Sequence, residues 1–176
     1  MKIIETPLSG LLIIEPQVHK DERGYFLEIF HQQRYSTLDL PLFVQDNLSH
    51  SKKNVLRGLH YQASHPQGKL ISVTRGEIWD VAVDIRQDSP TFKQWFGMVL
   101  DSTHHQQLYI PPGFAHGFCV LSSEAEVLYQ CSDFYFPAAE KGIIWNDPDL
   151  KITWPIDHPI LSPKDAAYPR LQDQLL

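Results

Sequence analysis

The chain has only two cysteines among its 176 residues, and they lack the spacing of metal-ligand pairs. Because Cys119 and Cys131 fall in separate strand-like segments, we expect two buried free thiols, as in a cytoplasmic protein, in preference to a disulfide. The first residues lack the apolar core and the small-residue cleavage site of a signal peptide. No apolar run approaches membrane-spanning length. The sequence therefore predicts a cytoplasmic protein that does not enter a membrane.

Positive charge is also scarce, with 15 Lys and Arg residues against 21 Asp and Glu residues. This balance argues against a protein that coats nucleic acid or an anionic membrane surface. If the ligand is anionic, the positive charge must be local, and Arg23, Arg57 and Lys69 are candidates for such a patch. The chain also has no Gly-x-Gly-x-x-Gly turn that opens a helix, so nothing indicates a bound dinucleotide.

Most of the chain consists of short strand-like segments separated by Pro, Gly and Asp/Asn turns. The strand candidates are residues 11–14, 25–30, 43–47, 55–61, 70–74, 77–85, 95–100, 107–110, 118–121 and 126–132. Short helices are predicted only at residues 31–38 and 163–167. This pattern is typical of an all-β sandwich or barrel. We expect one domain over residues 1–176, with an irregular segment after Phe136 wrapped over the barrel.

One strand candidate, residues 77–85, carries two carboxylates among apolar residues. Alternation with period two places Asp80 and Asp84 on one face and Trp79 and Val81 on the other. We interpret the face with Trp79 and Val81 as core. For the two carboxylates, exposure or pairing with cations and the lining of a pocket are equally open alternatives.

The strongest candidate for a catalytic base is His60, in the segment Arg57-Gly58-Leu59-His60. Strict alternation would send Arg57 and His60 to opposite faces of a strand. A bulge at Gly58 would instead bring both side chains into one cavity. The alternatives to a catalytic role are a structural histidine for His60, a core tyrosine for Tyr129 and a helix cap for Asp165.

Two histidine motifs in a β-barrel also raise a metal centre as an alternative. Metal-binding cupins usually offer a His-x-His pair, a carboxylate several residues later and a further histidine. Here Gln62 takes the second position of the pair, and residues 63–69 contain no Asp or Glu and end in Lys69. Because His60 and His116 alone are too few to hold a transition metal firmly, we predict chemistry without a metal.

Blocks of sequence along nearly the whole chain resemble the nucleotide-sugar 3,5-epimerases of the RmlC type. The blocks are residues 21–24 (DERG), 43–47 (FVQDN), 55–62 (VLRGLHYQ), 68–70 (GKL), 80–85 (DVAVDI), 89–92 (SPTF), 110–118 (IPPGFAHGF), Tyr129 and 161–167 (LSPKDAA). The resemblance implies a jelly-roll β-barrel of the cupin type. It also implies inversion of two carbons of dTDP-4-keto-6-deoxyglucose, on the route to dTDP-L-rhamnose, with no cofactor.

The same resemblance assigns roles to individual residues. It implies that His60 is the general base, Asp165 its partner, Tyr129 the acid on the opposite face of the sugar, and Lys69 a neighbour of the sugar carbonyl oxygen. Substrate contacts are implied for Arg23, Glu28, Gln45, Asp46, Asn47, Arg57, Lys69, His116, Glu140 and Lys164. Phe134 stands where the family is expected to have tyrosine, so we expect one hydroxyl contact to the nucleotide to be missing.

A homodimer is a further implication of the resemblance. In the family, N-terminal strands are exchanged between subunits, which would carry Arg23 and Glu28 into the partner's site. Residues 11–14, interpreted as an edge strand that needs cover, fit this expectation. The alternatives are a 3-epimerase, a 5-epimerase or a 3,4-ketoisomerase within the family. Outside it they are a metal-dependent cupin or a non-catalytic module that binds sugar nucleotides.

Overall fold

The computed structural model describes residues 1–174, which form thirteen β-strands and two short α-helices. The strands are β1 (Lys2–Glu5), β2 (Leu12–Glu15), β3 (Val18–Asp21), β4 (Gly24–Leu27), β5 (Gln45–Lys52), β6 (Leu56–Gln62), β7 (Lys69–Arg75), β8 (Glu77–Asp84), β9 (Trp95–Asp101), β10 (Gln107–Ile110), β11 (Phe114–Val120), β12 (Glu124–Cys131) and β13 (Glu140–Gly142). The helices are α1 (Gln32–Tyr35) and α2 (Pro163–Ala166), and 3₁₀ turns lie at Ser36–Leu38, Pro137–Ala139 and Leu171–Gln174. The last two residues of the predicted domain, Leu175 and Leu176, lie outside the described residues.

Two antiparallel sheets face each other across the core. The six-stranded sheet has the order β1-β2-β10-β7-β12-β5, and the five-stranded sheet has the order β13-β6-β11-β8-β9. Strands β3 and β4 form a separate hairpin. This is the all-β jelly-roll sandwich with few short helices that the sequence predicts. Strands β1, β3 and β13 were not predicted from the sequence.

The core between the sheets is built from alternate residues of the strands. Ile71 and Val127 contribute from the six-stranded sheet, and Ile78 and Phe118 contribute from the five-stranded sheet. All four are at least 95% buried. Because side chains alternate along a strand, the same inner face can hold apolar residues at one end and polar residues at the other.

A second apolar cluster covers the outer face of the five-stranded sheet. Val81 and Val83 of β8 contact Ile143, Leu150 and Trp154 of the C-terminal segment. The segment after Phe136 is therefore wrapped over the barrel, as predicted. Strand β8 is buried on both faces, whereas the sequence suggested only one core face.

Burial of β8 also decides between the alternatives for its carboxylates, because Asp80 and Asp84 are fully buried. Asp84 accepts hydrogen bonds from Arg86, Ser89 and Thr91, with the Nη2 atom of Arg86 at 2.7 Å. The carboxylate of Asp80 is paired with His116. Exposure of these groups is therefore excluded, and pairing accounts for both.

The N-terminal part of the chain differs from the expectation. Strand β2 pairs with β1 on one side and with β10 on the other, so the prediction that residues 11–14 form an edge strand is wrong. The β3–β4 hairpin presents two exposed aromatic side chains, Tyr25 and Phe26, at 57% and 66% relative exposure. No helix among residues 1–174 is long and apolar enough to cross a membrane.

Candidate active site

A cavity of about 380 Å³ is lined by side chains from both sheets. The lining residues are Gln45, Asn47, Ser49, Arg57, His60, Tyr61, Gln62, Gln67, Lys69, His116, Phe118, Tyr129, Cys131, Tyr135 and Glu140. Eight of the residues predicted from the sequence are among them: Gln45, Asn47, Arg57, His60, Lys69, His116, Tyr129 and Glu140. The structure therefore brings most of the predicted site together.

Strand alternation directs the polar side chains into this cavity. On β7, Lys69 shares the inner face with Ile71, and on β12, Tyr129 shares it with Val127. The apolar partners fill the core, and the polar ones line the cavity beside it. A period of two thus produces both the core and the site.

The bulge predicted at Gly58 is present in β6. His60 pairs with His116 and Arg57 pairs with Phe118, so three steps along β6 match two steps along β11. Gly58 has φ of +123°, and a Cβ atom there would lie 2.5 Å from the Cα of Gly117. Glycine is required by this backbone conformation and by this close approach. As a result, Arg57 and His60 both line the cavity.

The His60 imidazole is held from behind by Asp165. Its Nε2 lies 2.5 Å from Oδ1 of Asp165, which is carried by α2 and is 4% exposed. Ser162 caps this helix and donates to the second carboxylate oxygen at 2.8 Å, so the alternative in which Asp165 is the cap is excluded. Burial opposes the charge of Asp165, but the hydrogen bond and charge of His60, followed by Ser162, outweigh it and lower the pKa of the carboxyl.

This arrangement fixes the tautomer of His60. An ionised carboxylate only accepts hydrogen bonds, so Nε2 carries the proton. In the neutral form of the imidazole, the other ring nitrogen, Nδ1, then carries no proton and can act as a base.

A second histidine–carboxylate pair lies beside the first, and its histidine is on the neighbouring strand β11. His116 pairs with His60 in the β6–β11 register, and its Nε2 lies 2.8 Å from Oδ2 of Asp80. Both residues of this second pair are buried. The sequence placed Asp80 on the strand face opposite the one interpreted as core, and it left exposure, pairing and the lining of a pocket open. Its role is to hold the His116 ring.

The wall formed by the six-stranded sheet carries the lysine and the tyrosine. Burial lowers the pKa of Lys69, and the nearby Cys131, Glu140 and Asp80 oppose the shift. Burial raises the pKa of Tyr129, and so do Cys131 and Glu140. His60 belongs to the five-stranded sheet, so the candidate base and the candidate acid lie on opposing sheets. The cavity can therefore present a proton acceptor and a proton donor to the two sides of one ligand.

Arg57 is oriented by contacts behind it. Its Nε donates to Oγ of Ser51 at 2.9 Å, and one terminal nitrogen donates to the carbonyl of His50 at 3.3 Å. The remaining terminal nitrogen is available to a ligand. A guanidinium held in this way suits an anion with paired oxygens, such as a diphosphate.

Glu140, Lys164 and Tyr135 form a polar cluster at the edge of the cavity. Lys164 donates to Oε2 of Glu140 at 2.6 Å, and the Tyr135 hydroxyl donates to the same oxygen. Burial opposes the charge of Glu140, but these two hydrogen bonds lower its pKa. Phe134 does not line the cavity, whereas Tyr135 beside it does. The Tyr135 hydroxyl is engaged by Glu140 at this edge.

Four predicted substrate contacts do not line the cavity. Asp46 lies between Gln45 and Asn47 on β5, so alternation turns it to the outer face, where Gln130 donates to it at 3.0 Å. Arg23 is on the exposed hairpin and pairs with Asp21. Glu28 pairs with Arg34 at 3.2 Å. Lys164 reaches the site only through Glu140.

The donor set of the cavity does not favour a metal. No three or more His, Cys, Asp or Glu side chains within residues 1–174 are grouped so that they could hold a metal ion. The amide of Gln62 is engaged by backbone groups, because it donates to the carbonyls of His65 and Phe134 and accepts from the N–H of Phe136. The side chain of Gln62 therefore connects two loops at the edge of the cavity through hydrogen bonds.

The chain matches a family model described as dTDP-4-dehydrorhamnose 3,5-epimerase over residues 5–173. The chain belongs to the dTDP-4-dehydrorhamnose 3,5-epimerase family. A relative in Salmonella typhimurium with this description is 51% identical over 180 residues, which cover 100% of this chain and 98% of the relative. One in Neisseria gonorrhoeae is 51% identical over 95% of this chain, but the chain spans only 52% of that relative's length.

Solved structures of the family have the same fold. The crystal structure of dTDP-6-deoxy-D-glucose-3,5-epimerase RmlC from Legionella pneumophila, in complex with dTDP-4-keto-L-rhamnose, matches with a TM-score of 0.94. The two sequences are 52% identical, and the match covers 97% of this chain and 93% of that chain.

Several cavity residues of this family member were not predicted as site residues from the sequence. They are Ser49, Tyr61, Gln62, Gln67, Phe118, Cys131 and Tyr135. Strand alternation would have found Ser49 from Asn47, and Cys131 from Tyr129, since each lies two residues further along the same strand. Gln67 and Tyr135 lie on loops, where alternation gives no signal.

Proposed function

We propose that the chain is a dTDP-4-dehydrorhamnose 3,5-epimerase that converts dTDP-4-keto-6-deoxyglucose to dTDP-4-keto-L-rhamnose without a cofactor. The observation that carries the proposal is the placement of His60, held by Asp165 of α2, on one sheet and of Tyr129 on the opposing sheet. Inversion at carbon requires removal of a proton from one face and return of a proton to the other. The two walls of the cavity carry groups suited to these two tasks.

The ketone at C4 makes the chemistry accessible. It acidifies the hydrogens at C3 and at C5, because loss of either proton gives an enolate delocalised onto O4. Nδ1 of His60 accepts the proton, and Asp165 stabilises the resulting imidazolium. The ammonium of Lys69 stabilises the oxyanion at O4. Tyr129 donates a proton to the opposite face, which inverts the carbon.

Solvent then restores both groups, as His60 loses its proton and Tyr129 regains one. The cycle runs once at C3 and once at C5. Positioned acid–base groups each contribute about two to four orders of magnitude in rate. Stabilisation of the oxyanion and orientation of the substrate supply the remainder.

Binding of the nucleotide part is assigned to the charged edge of the cavity. Arg57 contacts the diphosphate, with Gln45, Asn47 and Lys164 as further polar contacts. Glu140 orients Lys164 through their ion pair. His116, held by Asp80, contacts the sugar.

The active unit is proposed to be a homodimer of one-domain subunits that cover residues 1–176. Arg23 and Glu28 do not face their own subunit's cavity, and the hairpin beside them exposes Tyr25 and Phe26. An exposed aromatic surface of this kind is typical of an interface. Exchange of N-terminal segments would bring Arg23 and Glu28 to the partner's cavity. Light scattering of the active fraction should give twice the chain mass of 20.3 kDa, and a monomer mass would refute the dimer.

The function is tested by incubation with dTDP-4-keto-6-deoxyglucose in deuterated water, followed by NMR. Wild-type enzyme should place deuterium at C3 and C5 of the inverted product. His60→Asn should abolish both exchange and inversion while it still binds dTDP. Tyr129→Phe should still exchange hydrogen but give little inverted product. Label at only one carbon with the wild type would indicate a mono-epimerase instead.

A further inference from the structure

Tyr168 lies directly against the imidazole of His60 but does not line the cavity. The two ring centroids are 5.6 Å apart, and the rings meet edge to face at 70°. Tyr168 follows α2, which carries Asp165, by two residues. The element that supplies the hydrogen-bond partner of His60 therefore also supplies an aromatic wall for its ring.

The backbone on both sides of Tyr168 is fixed. The N–H of Ala167 donates to the carbonyl of Lys164 at 3.1 Å. The carbonyl of Pro169 accepts from the N–H of Ile144 at 3.0 Å. These bonds tie the segment to α2 at one end and to the residues after β13 at the other, so the ring is held on a supported backbone.

Gly142 makes room for this ring. It is the cross-strand partner of His60 in the β6–β13 pair. A Cβ atom on Gly142 would lie 2.4 Å from two atoms of the Tyr168 ring, much closer than atoms in contact can approach. The φ of Gly142 does not lie in the left-handed region, so backbone conformation does not explain the glycine. The ring does.

We infer that Tyr168 is a positioning residue for His60: its ring, seated over Gly142, fixes the plane of the imidazole that Asp165 holds at Nε2. One hydrogen bond restrains a single ring atom and still allows the imidazole to rock about the line through that atom. An edge-to-face aromatic contact removes this freedom. The inference rests on the proposed function, because it gives His60 the task of accepting a proton.

The hydroxyl of Tyr168 is not the functional part of the side chain. It is buried and has no partner at hydrogen-bonding geometry within residues 1–174, although the Lys164 ammonium lies close enough to act on its pKa. Burial raises its pKa, and the charge of Glu140 adds to the shift. The hydroxyl is therefore neutral and adds no charge beside Asp165. Removal of this oxygen should leave the ring contact intact.

Two substitutions at residue 168 separate the ring from the hydroxyl. Tyr168→Leu removes the aromatic edge, and we expect kcat to fall about tenfold, since small losses of orientation at a reacting group have effects of this size or larger. KM and the affinity for dTDP should stay within twofold of wild type, because Tyr168 does not line the cavity. Tyr168→Phe is the matched control and should retain wild-type kcat.

Gly142→Ala tests the same contact from the other side. The added methyl group should displace the ring and reduce kcat to a similar extent. In the double variant Gly142→Ala/Tyr168→Leu, the methyl group meets no ring, so the second substitution should cause no further loss. Such non-additivity is the signature of two residues that act through one contact. The Gly142 variant also keeps the test decisive if Tyr168→Leu does not fold.

The remaining outcomes count against the inference. A Tyr168→Leu variant with kcat within twofold of wild type would overturn it. Equal losses in Tyr168→Phe and Tyr168→Leu would assign the effect to the hydroxyl. A raised KM with unchanged kcat would mean a substrate contact. Failure of the proposed function is recognised separately, because His60→Asn would then keep its turnover or the wild type would show none.

Discussion

Replacement of Asp165 by Asn removes one charge from the dyad and little else. The amide keeps the shape of the carboxylate, and its oxygen can still accept from Nε2 of His60. Hydrogen bonds to charged groups contribute about 1.5–3 kcal/mol, against about 0.5–1.5 kcal/mol for neutral ones. The loss is the difference between these two ranges, about 1–1.5 kcal/mol, and it is not larger because the side chain of His60 is 31% exposed and partly screened by solvent. At 1.36 kcal/mol per factor of ten, kcat should fall about 5- to 13-fold.

The assay is turnover of dTDP-4-keto-6-deoxyglucose by purified Asp165→Asn, with dTDP affinity and the thermal midpoint measured alongside. Because the pKa of Asp165 is lowered in the folded state, its charge stabilises the fold above its unfolded pKa, and this contribution is lost as the pH falls. The variant should therefore be less stable than wild type at pH 7, and the difference should shrink as the pH falls below the ordinary carboxyl value of 3.8. In the double variant with His60→Asn, the second change should add no further loss. A kcat within threefold of wild type would refute the role of Asp165.

Three further predictions follow from buried groups. Asp84→Asn should destabilise the fold by about 3 kcal/mol in denaturant titrations at pH 7, because it breaks a buried ion pair with Arg86. Since hydrogen bonds lower the pKa of Asp84 despite its burial, this loss of stability should shrink below about pH 4. A loss of stability that does not depend on pH would contradict this reasoning. Gly58→Ala should cost about 3 kcal/mol and most of the turnover, because the new methyl group would overlap Gly117; an active, stable variant would mean that the bulge can relax. Lys69→Met should lower kcat about 10²- to 10³-fold. Because burial lowers the pKa of Lys69, the turnover of the wild type should decline at a pH below the 10.5 of an ordinary lysine. The pH profile of the variant should lack this decline.

The central part of the site could be predicted from the sequence because it depends on local rules. Strand periodicity indicated that Asp80 and Asp84 share one face of β8, although the opposite face was taken as core, and the position of Gly58 indicated the bulge that joins Arg57 to His60. The same rule, applied to β5, would have shown that Asp46 cannot share a face with Gln45 and Asn47. The resemblance suggested all three, and alternation allows only two.

Other features depend on how distant parts of the chain dock, and no local pattern reports them. Tyr168 reaches His60 only because the C-terminal segment packs on the five-stranded sheet. The strand at residues 11–14 looked like an edge because β1, which pairs with it, was not recognised from the sequence. Tyr135 lies on a loop, and its direction is set by its bond to Glu140 rather than by periodicity.

His60 and Asp165 are 105 positions apart in the chain, and Asp165 is carried by a segment that lies outside the two sheets. Sub-global opening of that segment would separate Asp165 and Tyr168 from His60 while the barrel stays folded. Catalytic competence then reports the docking equilibrium of the C-terminal segment rather than the equilibrium of the whole fold. In a mild denaturant gradient, turnover should vanish before the near-ultraviolet signal of the barrel aromatics changes, and amide hydrogens around residues 162–170 should exchange faster than those of β8.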